Sequence, residues 1–226
     1  MSDLPETVNW VEKGAVIPVD DVLLCAGNWA LTAAAAITGS HFANTGKYIA
    51  VSGQQCIDCN TEEGQNWDNC DGGWADDCMQ YGQMDALRTM DDFPYIHDQQ
   101  SCKEEVSQGP ISVVEVMRPK LNSQEDLKAA IAQQPTVVMV DSAEDAFKFY
   151  SDGIISSGCG NATDEFLLAV GYGKDEKTGT DYYLLKNNYG EDWGENGYAR
   201  VAMNGDGDGN CGIQTNSMYP DTKASS

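Results

Sequence analysis

The chain has 226 residues, 41% of them hydrophobic, which excludes an intrinsically disordered chain and allows one large domain or two small lobes. Its 36 acidic and 13 basic residues give a formal net charge of −23, a field that repels nucleic acid and anionic membranes and attracts cations or basic proteins. No apolar run approaches the length of a membrane span, and residues 1–5 lack the basic and apolar segments of a secretory signal.

The first half of the chain has helical patterns. An Ala-rich stretch without proline predicts a first helix over 27–45, with Gly39 and Gly46 marking its far end. Two further helices are predicted over 52–58 and 74–85, and the polar, Gly-containing segment 60–73 joins them as a loop.

The second half of the chain changes to strand patterns. Runs rich in β-branched and aromatic residues predict strands over 136–140, 166–170, 181–186 and 198–203. Gly171 to Gly173, together with Lys177 to Gly179, is interpreted as a strand–turn–strand connection. A helical first half and a β-rich second half indicate an α+β protein with two lobes.

Eight cysteines indicate an oxidising compartment, because a cytosolic chain of this size rarely keeps so many. Cys56 and Cys59 form a CxxC pair, but no second CxxC or paired histidine follows, so we expect no zinc site. The acidic loop 204–210 lacks the later bidentate glutamate of an EF-hand and is expected to be a plain turn. Asn161 begins an N-x-T sequon and is a candidate for glycosylation.

Several segments resemble the papain and cathepsin L family of cysteine peptidases. They occur in the family's order, as Leu4 to Trp10 followed by Lys13 to Pro18, Cys70-Asp-Gly-Gly73, Ala169-Val-Gly-Tyr-Gly173, Leu185-Lys-Asn187, Trp193-Gly-Glu-Asn-Gly-Tyr198, Cys211-Gly-Ile213 and Tyr219-Pro220. The resemblance implies a papain-like fold over 1–226 in its mature form without a propeptide. A helical left lobe over roughly 10–110 and a β-barrel-like right lobe over roughly 111–215 would enclose a cleft.

The resemblance also implies the walls of that cleft and three disulfides. The unprimed side would hold Gly72, Gly73, Trp74, Ala75, Met139, Thr163, Phe166 and Asn216, although core packing is an equal alternative for Met139 and Phe166. Tyr189 and Trp193 would lie on the primed side. The family's disulfides match Cys25–Cys70, Cys59–Cys102 and Cys159–Cys211. Cys56 and Cys78 lie on the two helices that the 60–73 loop joins, so we expect a fourth bridge between them, with two buried free thiols as the alternative.

The residues at the family's catalytic positions differ from the family pattern. Asn28 matches the nucleophile, Glu165 the histidine base and Val22 the oxyanion-hole glutamine, and Asn187 alone is retained. An asparagine is not a usable nucleophile, Glu165 cannot form an imidazolium, and Val22 has no donor for an oxyanion. We therefore expect no peptidase activity and no cofactor. His41 and His97 lie away from the base position and are interpreted as surface or hydrogen-bonded histidines.

Three functional hypotheses follow. The first is a non-catalytic pseudopeptidase that acts as a peptide-binding, scaffolding or matrix protein, secreted or held in an acidic, lysosome-like vesicle. The second is an acidic structural or storage protein that binds cations or basic partners. The third is a hydrolase that uses Asp164 and Glu165 as acid and base. Burial and the neighbouring charge of Asp164 should raise the pKa of Glu165, which is expected to donate a hydrogen bond to Asn28 when protonated.

Overall fold

The computed structural model describes residues 4–60, 69–102 and 109–224, in which helices dominate the first half and strands the second. The part of the predicted 60–73 loop that spans 61–68 lies outside the described residues. The helices are α1 (Asn28–Thr45), α2 (Gly53–Cys59), α3 (Ala75–Met84), α4 (Gln124–Gln133) and α5 (Asp145–Lys148). The first three confirm the predicted helices to within one residue at each end.

Helix α1 lies at the centre of the helical half and is buried over most of its length, from Asn28 to His41. Its four consecutive alanines, 33–36, are each at most 2% exposed, and alanine is both the best helix former and small enough for close packing on all sides. Gly46 ends the helix with φ of 71° and donates its N–H to the carbonyl of Phe42. Gly39, predicted to mark the end, is instead mid-helix, where a Cβ would lie 2.5 Å from Pro135 Cγ.

The strands form one antiparallel sheet. They are β1 (Val8–Asn9), β2 (Ile111–Met117), β3 (Thr136–Val140), β4 (Glu165–Lys174), β5 (Asp181–Lys186), β6 (Tyr198–Ala202) and β7 (Ser217–Ala224). Their order in the sheet is β2-β7-β3-β4-β5-β6, and β1 pairs with β4 at the side. Helix α1 packs against β7, β4 and β3, which joins the helices to the sheet. The fold is therefore α+β, as predicted.

Strand β4 continues through the glycines that were interpreted as a connection. Gly171 pairs with Asn9 of β1 and, after a bulge, with Leu184 of β5. A Cβ at Gly171 would lie 2.2 Å from the carbonyl oxygen of Val8, so glycine is required there by a close backbone approach rather than by a turn. The turn itself falls later, at Asp175 to Thr180.

Four disulfides join the described cysteines. They are Cys25–Cys70, Cys59–Cys102, Cys159–Cys211 and Cys56–Cys78. The first three confirm the pairing that the resemblance implies. The fourth connects α2 with α3, which confirms the fourth bridge over two free thiols. All eight cysteines are described and all are paired.

His41 contradicts its interpretation as a surface or hydrogen-bonded residue. Its side chain is 1% exposed, and neither ring nitrogen has a hydrogen-bond partner among the described residues. Burial lowers the pKa of the imidazole, with a smaller contribution from the charge of Lys47. The sequence did not predict this burial, because α1 is enclosed from Asn28 to His41 by its packing against the sheet and the neighbouring helices.

Within the described ranges no helix is long and apolar enough to cross a membrane. The same ranges contain no group of three or more histidine, cysteine or acidic side chains placed to hold a metal ion.

Candidate functional site

A tight turn and a disulfide place Asn28 at the first position of α1. The turn runs from Val22 to Cys25 and is closed by the Cys25 N–H, which donates to the carbonyl of Val22 at 3.1 Å. The Cys25–Cys70 bridge and the bond from Ala26 N–H to the carbonyl of Cys70 at 2.8 Å hold the next residues in place. Val22 is half-buried, and its N–H donates to the carbonyl of Asn188 at 2.9 Å.

The carboxamide of Asn28 is buried and forms hydrogen bonds through both its nitrogen and its oxygen. Its Nδ2 donates to the carbonyl of Phe166 at 2.7 Å and to Oε1 of Glu165. Its Oδ1 accepts from Asn188 Nδ2 at 2.6 Å and from Thr32 Oγ1 at 3.3 Å. Asn28 is therefore held rigidly between the start of α1 and the start of β4.

Glu165 is the first residue of β4 and accepts hydrogen bonds at both carboxylate oxygens. Asn28 donates to Oε1, and the hydroxyl of Tyr189 donates to Oε2. Burial raises the pKa of Glu165, the bonds from Tyr189 and Asn28 oppose that rise, and the charge of Asp164 adds to it. The direction of the Asn28 bond corrects the sequence expectation, because Asn28 is the donor and Glu165 the acceptor. The backbone explains this: the carbonyl of Phe166 already orients the Asn28 amide as a donor.

Asn187 and its neighbours lie behind this pair. Asn187 is fully buried; its Oδ1 accepts the N–H of Asn188, and its Nδ2 has no hydrogen-bond partner among the described residues. Lys186 is 2% exposed and donates from Nζ to Asn188 Oδ1 at 2.7 Å. Burial lowers the pKa of Lys186 to about 8, and the charge of Asp20 opposes this. Thr32, Lys186 and Asn188 were not predicted as site residues, although the polar run Lys186-Asn-Asn188 at the end of a buried strand indicated the last two.

Other predicted cleft residues divide into accessible and buried groups. Gly73 and Trp74 are exposed, and the Trp74 ring meets Phe166 edge-on with ring centroids 6.0 Å apart. Met139 and Phe166 are 5% exposed and Ala75 is fully buried, so these side chains belong mainly to the core. Thr163 and Asn216 are partly exposed, and Asn216 Nδ2 contacts Met139 Sδ at 3.0 Å.

The predicted primed side is aromatic. Trp193 stacks edge-on against Tyr189, with centroids 5.8 Å apart, and packs on Phe147 and Tyr150 behind it. The indole nitrogen of Trp193 is buried and finds no acceptor within the described ranges. Asp164, predicted as a partner acid, is exposed and accepts the N–H of Ser142 at 2.7 Å, and no hydrogen bond joins it to Asn28 or Glu165 among the described residues.

Two further candidate positions lie beside each other, away from Asn28. Asn161 is exposed, as a glycosylation acceptor must be, and its Nδ2 donates to Asp208 Oδ2 at 2.7 Å. The 204–210 loop is bridged by Gln214, whose Nε2 donates to the carbonyls of Gly205 and Gly207 at 3.0 and 2.7 Å. Glycosylation at Asn161 stays a prediction.

Among the described residues, the ionisable side chains in contact at this centre can exchange protons and form hydrogen bonds. Glu165 and Tyr189 are the ionisable groups that meet there, and both are partly buried. The eight cysteines are all in disulfides, so no thiolate is present beside them. An intact oxyanion hole needs donors aimed at a developing charge, and the side chain of Val22 supplies none.

The family model described as Papain family cysteine protease matches residues 4–221 of the chain. The chain is 35% identical over 222 residues to cysteine endopeptidase RepA of Oryza sativa and 37% identical over 220 residues to papaya proteinase 4 of Carica papaya. Each match covers 96% of this chain, which spans only 58% and 62% of those relatives. The structure of bromelain protease from Ananas comosus with the E64 inhibitor has a TM-score of 0.88 at 29% identity, covering 96% of this chain and 99% of that one.

These comparisons correct the functional interpretation of the sequence. The relatives named above are an endopeptidase and proteinases, and none of the three is named as a scaffold, matrix or storage protein. The prediction of a non-catalytic scaffold, and of a chain that is not an enzyme, is contradicted by this set of relatives. The prediction of a papain-like fold is confirmed. The chain belongs to the papain family of cysteine proteases.

Proposed function

We propose that this chain acts on polypeptides, which it binds in extended form across the cleft beside Asn28 and Glu165. The proposal rests on one observation, which is that the backbone N–H and carbonyl groups of Gly72 and Gly73 are available for hydrogen bonds. Gly73 is exposed, and within the described ranges neither glycine uses its N–H or carbonyl in a hydrogen bond. An exposed, unpaired segment of this kind can pair with the backbone of an extended peptide, as a strand pairs with a sheet edge.

The local geometry keeps this segment without side chains. Gly72 has φ of 123°, a conformation that other residues rarely adopt, and open space surrounds the position of a Cβ. A Cβ at Gly73 would lie 2.5 Å from the buried ring of Trp29. Both positions therefore require glycine, which leaves the backbone accessible to a ligand.

Trp74 supplies an apolar contact next to the free backbone. Its side chain is 55% exposed, and it is held by the edge contact with Phe166. A large exposed aromatic side chain beside unpaired backbone provides apolar burial for peptide side chains. The names of the relatives, which are proteases, support a polypeptide as the ligand.

The residues around Asn28 and Glu165 restrict the mechanism by which a bound polypeptide could be cleaved. Because every cysteine is paired, hydrolysis at this site must proceed without a thiolate. The acid–base group nearest to Asn28 is Glu165, whose pKa burial raises. Any cleavage products of the peptide should therefore be measured with and without a thiol-directed epoxide, to show whether the cleavage depends on a thiol.

The experiment is a binding titration with fluorescent extended peptides, followed by mass spectrometry of the peptide. We expect saturable binding that Trp74→Ala weakens about tenfold, since burial of an aromatic side chain stabilises a complex by one to a few kcal/mol. Met84→Ala, which truncates a 79% exposed side chain at the end of α3, is the matched control and should bind normally. Absence of saturable binding, or equal binding by the Trp74 variant, would overturn the proposal.

We also infer that the chain resides outside the cytosol, in a secretory or vacuolar compartment. Four disulfides support this inference, because they persist in oxidising surroundings and are rare in the cytosol. Localisation of a tagged full-length protein by microscopy tests it, and a cytosolic distribution would contradict it.

A further inference from the structure

The segment 156–162 lies on the surface and leads into the triplet Asn161-Ala-Thr163. Every residue of the segment except Cys159 is exposed, and none belongs to a helix or strand. The triplet has the N-x-S/T pattern that accepts an N-linked glycan in the secretory pathway, and this pattern occurs once in the sequence. The peptide binding proposed above does not require it.

The chain beneath the segment holds the backbone around Asn161 in place. The Cys159–Cys211 disulfide joins the two stretches. Next to it, a Cβ at Gly212 would lie 2.6 Å from Thr163 Cγ2 and 3.2 Å from the Cα of Asn161, so the two stretches are in close contact. Asn161 is therefore fixed at its backbone while its side chain is exposed to solvent.

The amide of Asn161 contacts the 204–210 loop. Its Nδ2 donates to Oδ2 of Asp208 at 2.7 Å, and Asp208 is exposed within that loop. An asparagine amide has two hydrogens, and attachment of a sugar replaces only one of them. The bond to Asp208 is therefore compatible with a glycan, and a glycan on Asn161 would begin directly beside this loop.

The 204–210 loop has the features of a segment that proteases cut. Its three glycines, Gly205, Gly207 and Gly209, have φ of 89°, 120° and 76°. A Cβ at Gly205 or Gly207 would meet nothing within 4 Å, so open space adjoins the backbone there. Exposed loops of small and polar residues are the preferred sites of proteolytic nicking. A bulky group beside the loop would restrict the approach of a protease.

We propose that Asn161 carries an N-linked glycan and that this glycan shields the 204–210 loop from proteolysis. In the transfer, Asn161 Nδ2 forms a bond to the anomeric carbon of the first sugar and loses one proton. The bond between that carbon and the diphosphate of a lipid-linked oligosaccharide breaks, and the lipid diphosphate leaves. The transfer takes place in the lumen of the secretory pathway, an oxidising compartment in which the four disulfides are stable.

Mass spectrometry of the chain secreted from yeast with a secretory leader tests the modification. The peptide that contains Asn161 should carry a glycan, which a peptide N-glycosidase should remove. Thr163→Val keeps the branched shape of the side chain but loses the hydroxyl of the pattern, so this variant should lack the glycan. Thr163→Ser keeps the pattern and should keep the glycan. Both variants retain Asn161 and its partner Asp208, which separates the effect of the glycan from that of the hydrogen bond.

Digestion with an endoprotease that cleaves before aspartate tests the shielding. Cleavage before Asp206 and Asp208 should be severalfold slower in the wild type and in Thr163→Ser than in Thr163→Val. Asp91 and Asp92, which are exposed in a turn of the helical half, provide the internal control. Cleavage at these two positions should proceed at the same rate in all three proteins.

Each part of the inference has its own contradicting result. An unmodified Asn161 in secreted protein with intact disulfides, or a glycan that persists in Thr163→Val, would show that the modification site is wrong. Equal cleavage of the 204–210 loop in wild type and Thr163→Val would overturn the shielding role. None of these results bears on peptide binding, which the titration of Trp74→Ala tests separately.

Discussion

Lys186 and Glu165 are connected by a continuous series of hydrogen bonds through two asparagine side chains. Lys186 Nζ donates to Asn188 Oδ1 at 2.7 Å, Asn188 Nδ2 donates to Asn28 Oδ1 at 2.6 Å, and Asn28 Nδ2 donates to Glu165 Oε1. Every donor points from the ammonium towards the carboxylate. The two charged ends therefore polarise the carboxamides in the same sense, which strengthens each bond.

The orientation of both carboxamides follows from the ends of the series. An ammonium can only donate, so Asn188 must present its oxygen to Lys186 and its NH₂ to Asn28. Asn28 then has only its NH₂ left for Glu165 and for the carbonyl of Phe166. The series also joins α1 to the start of β4 and the end of β5, so the Asn28 side chain connects the helices to the sheet.

Stability should depend on pH through Glu165. Because burial raises its pKa in the folded state, its contribution is fully present below the unfolded-state value of about 4.3 and is lost as the pH rises through the folded-state value. The Glu165→Gln variant cannot ionise, so its melting temperature relative to wild type should increase steadily from pH 4 to pH 8. Glu176→Gln, at an exposed turn position, is the control. Its melting temperature relative to wild type should be no higher at pH 8 than at pH 4. A difference in melting temperature between Glu165→Gln and wild type that stays constant from pH 4 to pH 8 would contradict this prediction.

Removing the phenol beside Glu165 should raise the carboxyl pKa further. The Tyr189 hydroxyl donates to Oε2, which stabilises the ionised form and opposes the effect of burial. In Tyr189→Phe the midpoint of the Glu165 titration, followed by NMR of its side-chain carboxyl carbon, should move to higher pH. Tyr48→Phe, at an exposed tyrosine of the helical half, serves as the control. An unchanged or lowered midpoint in Tyr189→Phe would show that the phenol does not stabilise the carboxylate.

His41 should make the fold sensitive to acid. Burial lowers its folded-state pKa, so the unfolded chain takes up a proton near pH 6.5 while the folded chain does not, and stability falls as the pH drops below that value. His41→Leu removes two buried nitrogens without partners among the described residues and should stabilise the fold by about 1–3 kcal/mol, most strongly at acidic pH. Denaturant titrations between pH 5 and pH 8 measure this, with His97→Asn as the exposed control. Loss of stability in His41→Leu at every pH would refute it.

No cysteine should react with a thiol reagent. Titration of the denatured, unreduced protein should give zero equivalents, and a thiol-directed epoxide should not label the native chain, because all eight cysteines are paired. The double variant Cys56→Ala, Cys78→Ala opens a loop with a sequence separation of 22 and should lose about 3 kcal/mol of stability. Two reactive equivalents in the wild type, or a double variant as stable as wild type, would show that this bridge does not form in the protein.

The sequence by itself determined the fold class and the positions of three helices and four strands and, with the family resemblance, the four disulfides. Helices over 28–45 and 75–84 and the strand over 136–140 were predictable because hydrophobic periodicity and propensity act between near neighbours. The disulfide pairing followed from the resemblance and from two helices adjacent along the chain. Local patterns of this kind can be recognised in the sequence without knowledge of the tertiary packing.

Only the tertiary structure decided what those residues contact. Asn28 and Glu165 are 137 residues apart and Asn28 and Asn188 are 160 apart, so the direction of their hydrogen bonds depends on how α1 packs on the sheet. The burial of His41, the continuation of β4 past Gly171 and the contact of Asn161 with Asp208 likewise depend on neighbours distant in sequence. Side-chain partners and backbone approaches are set by packing, which the local pattern of residues does not contain.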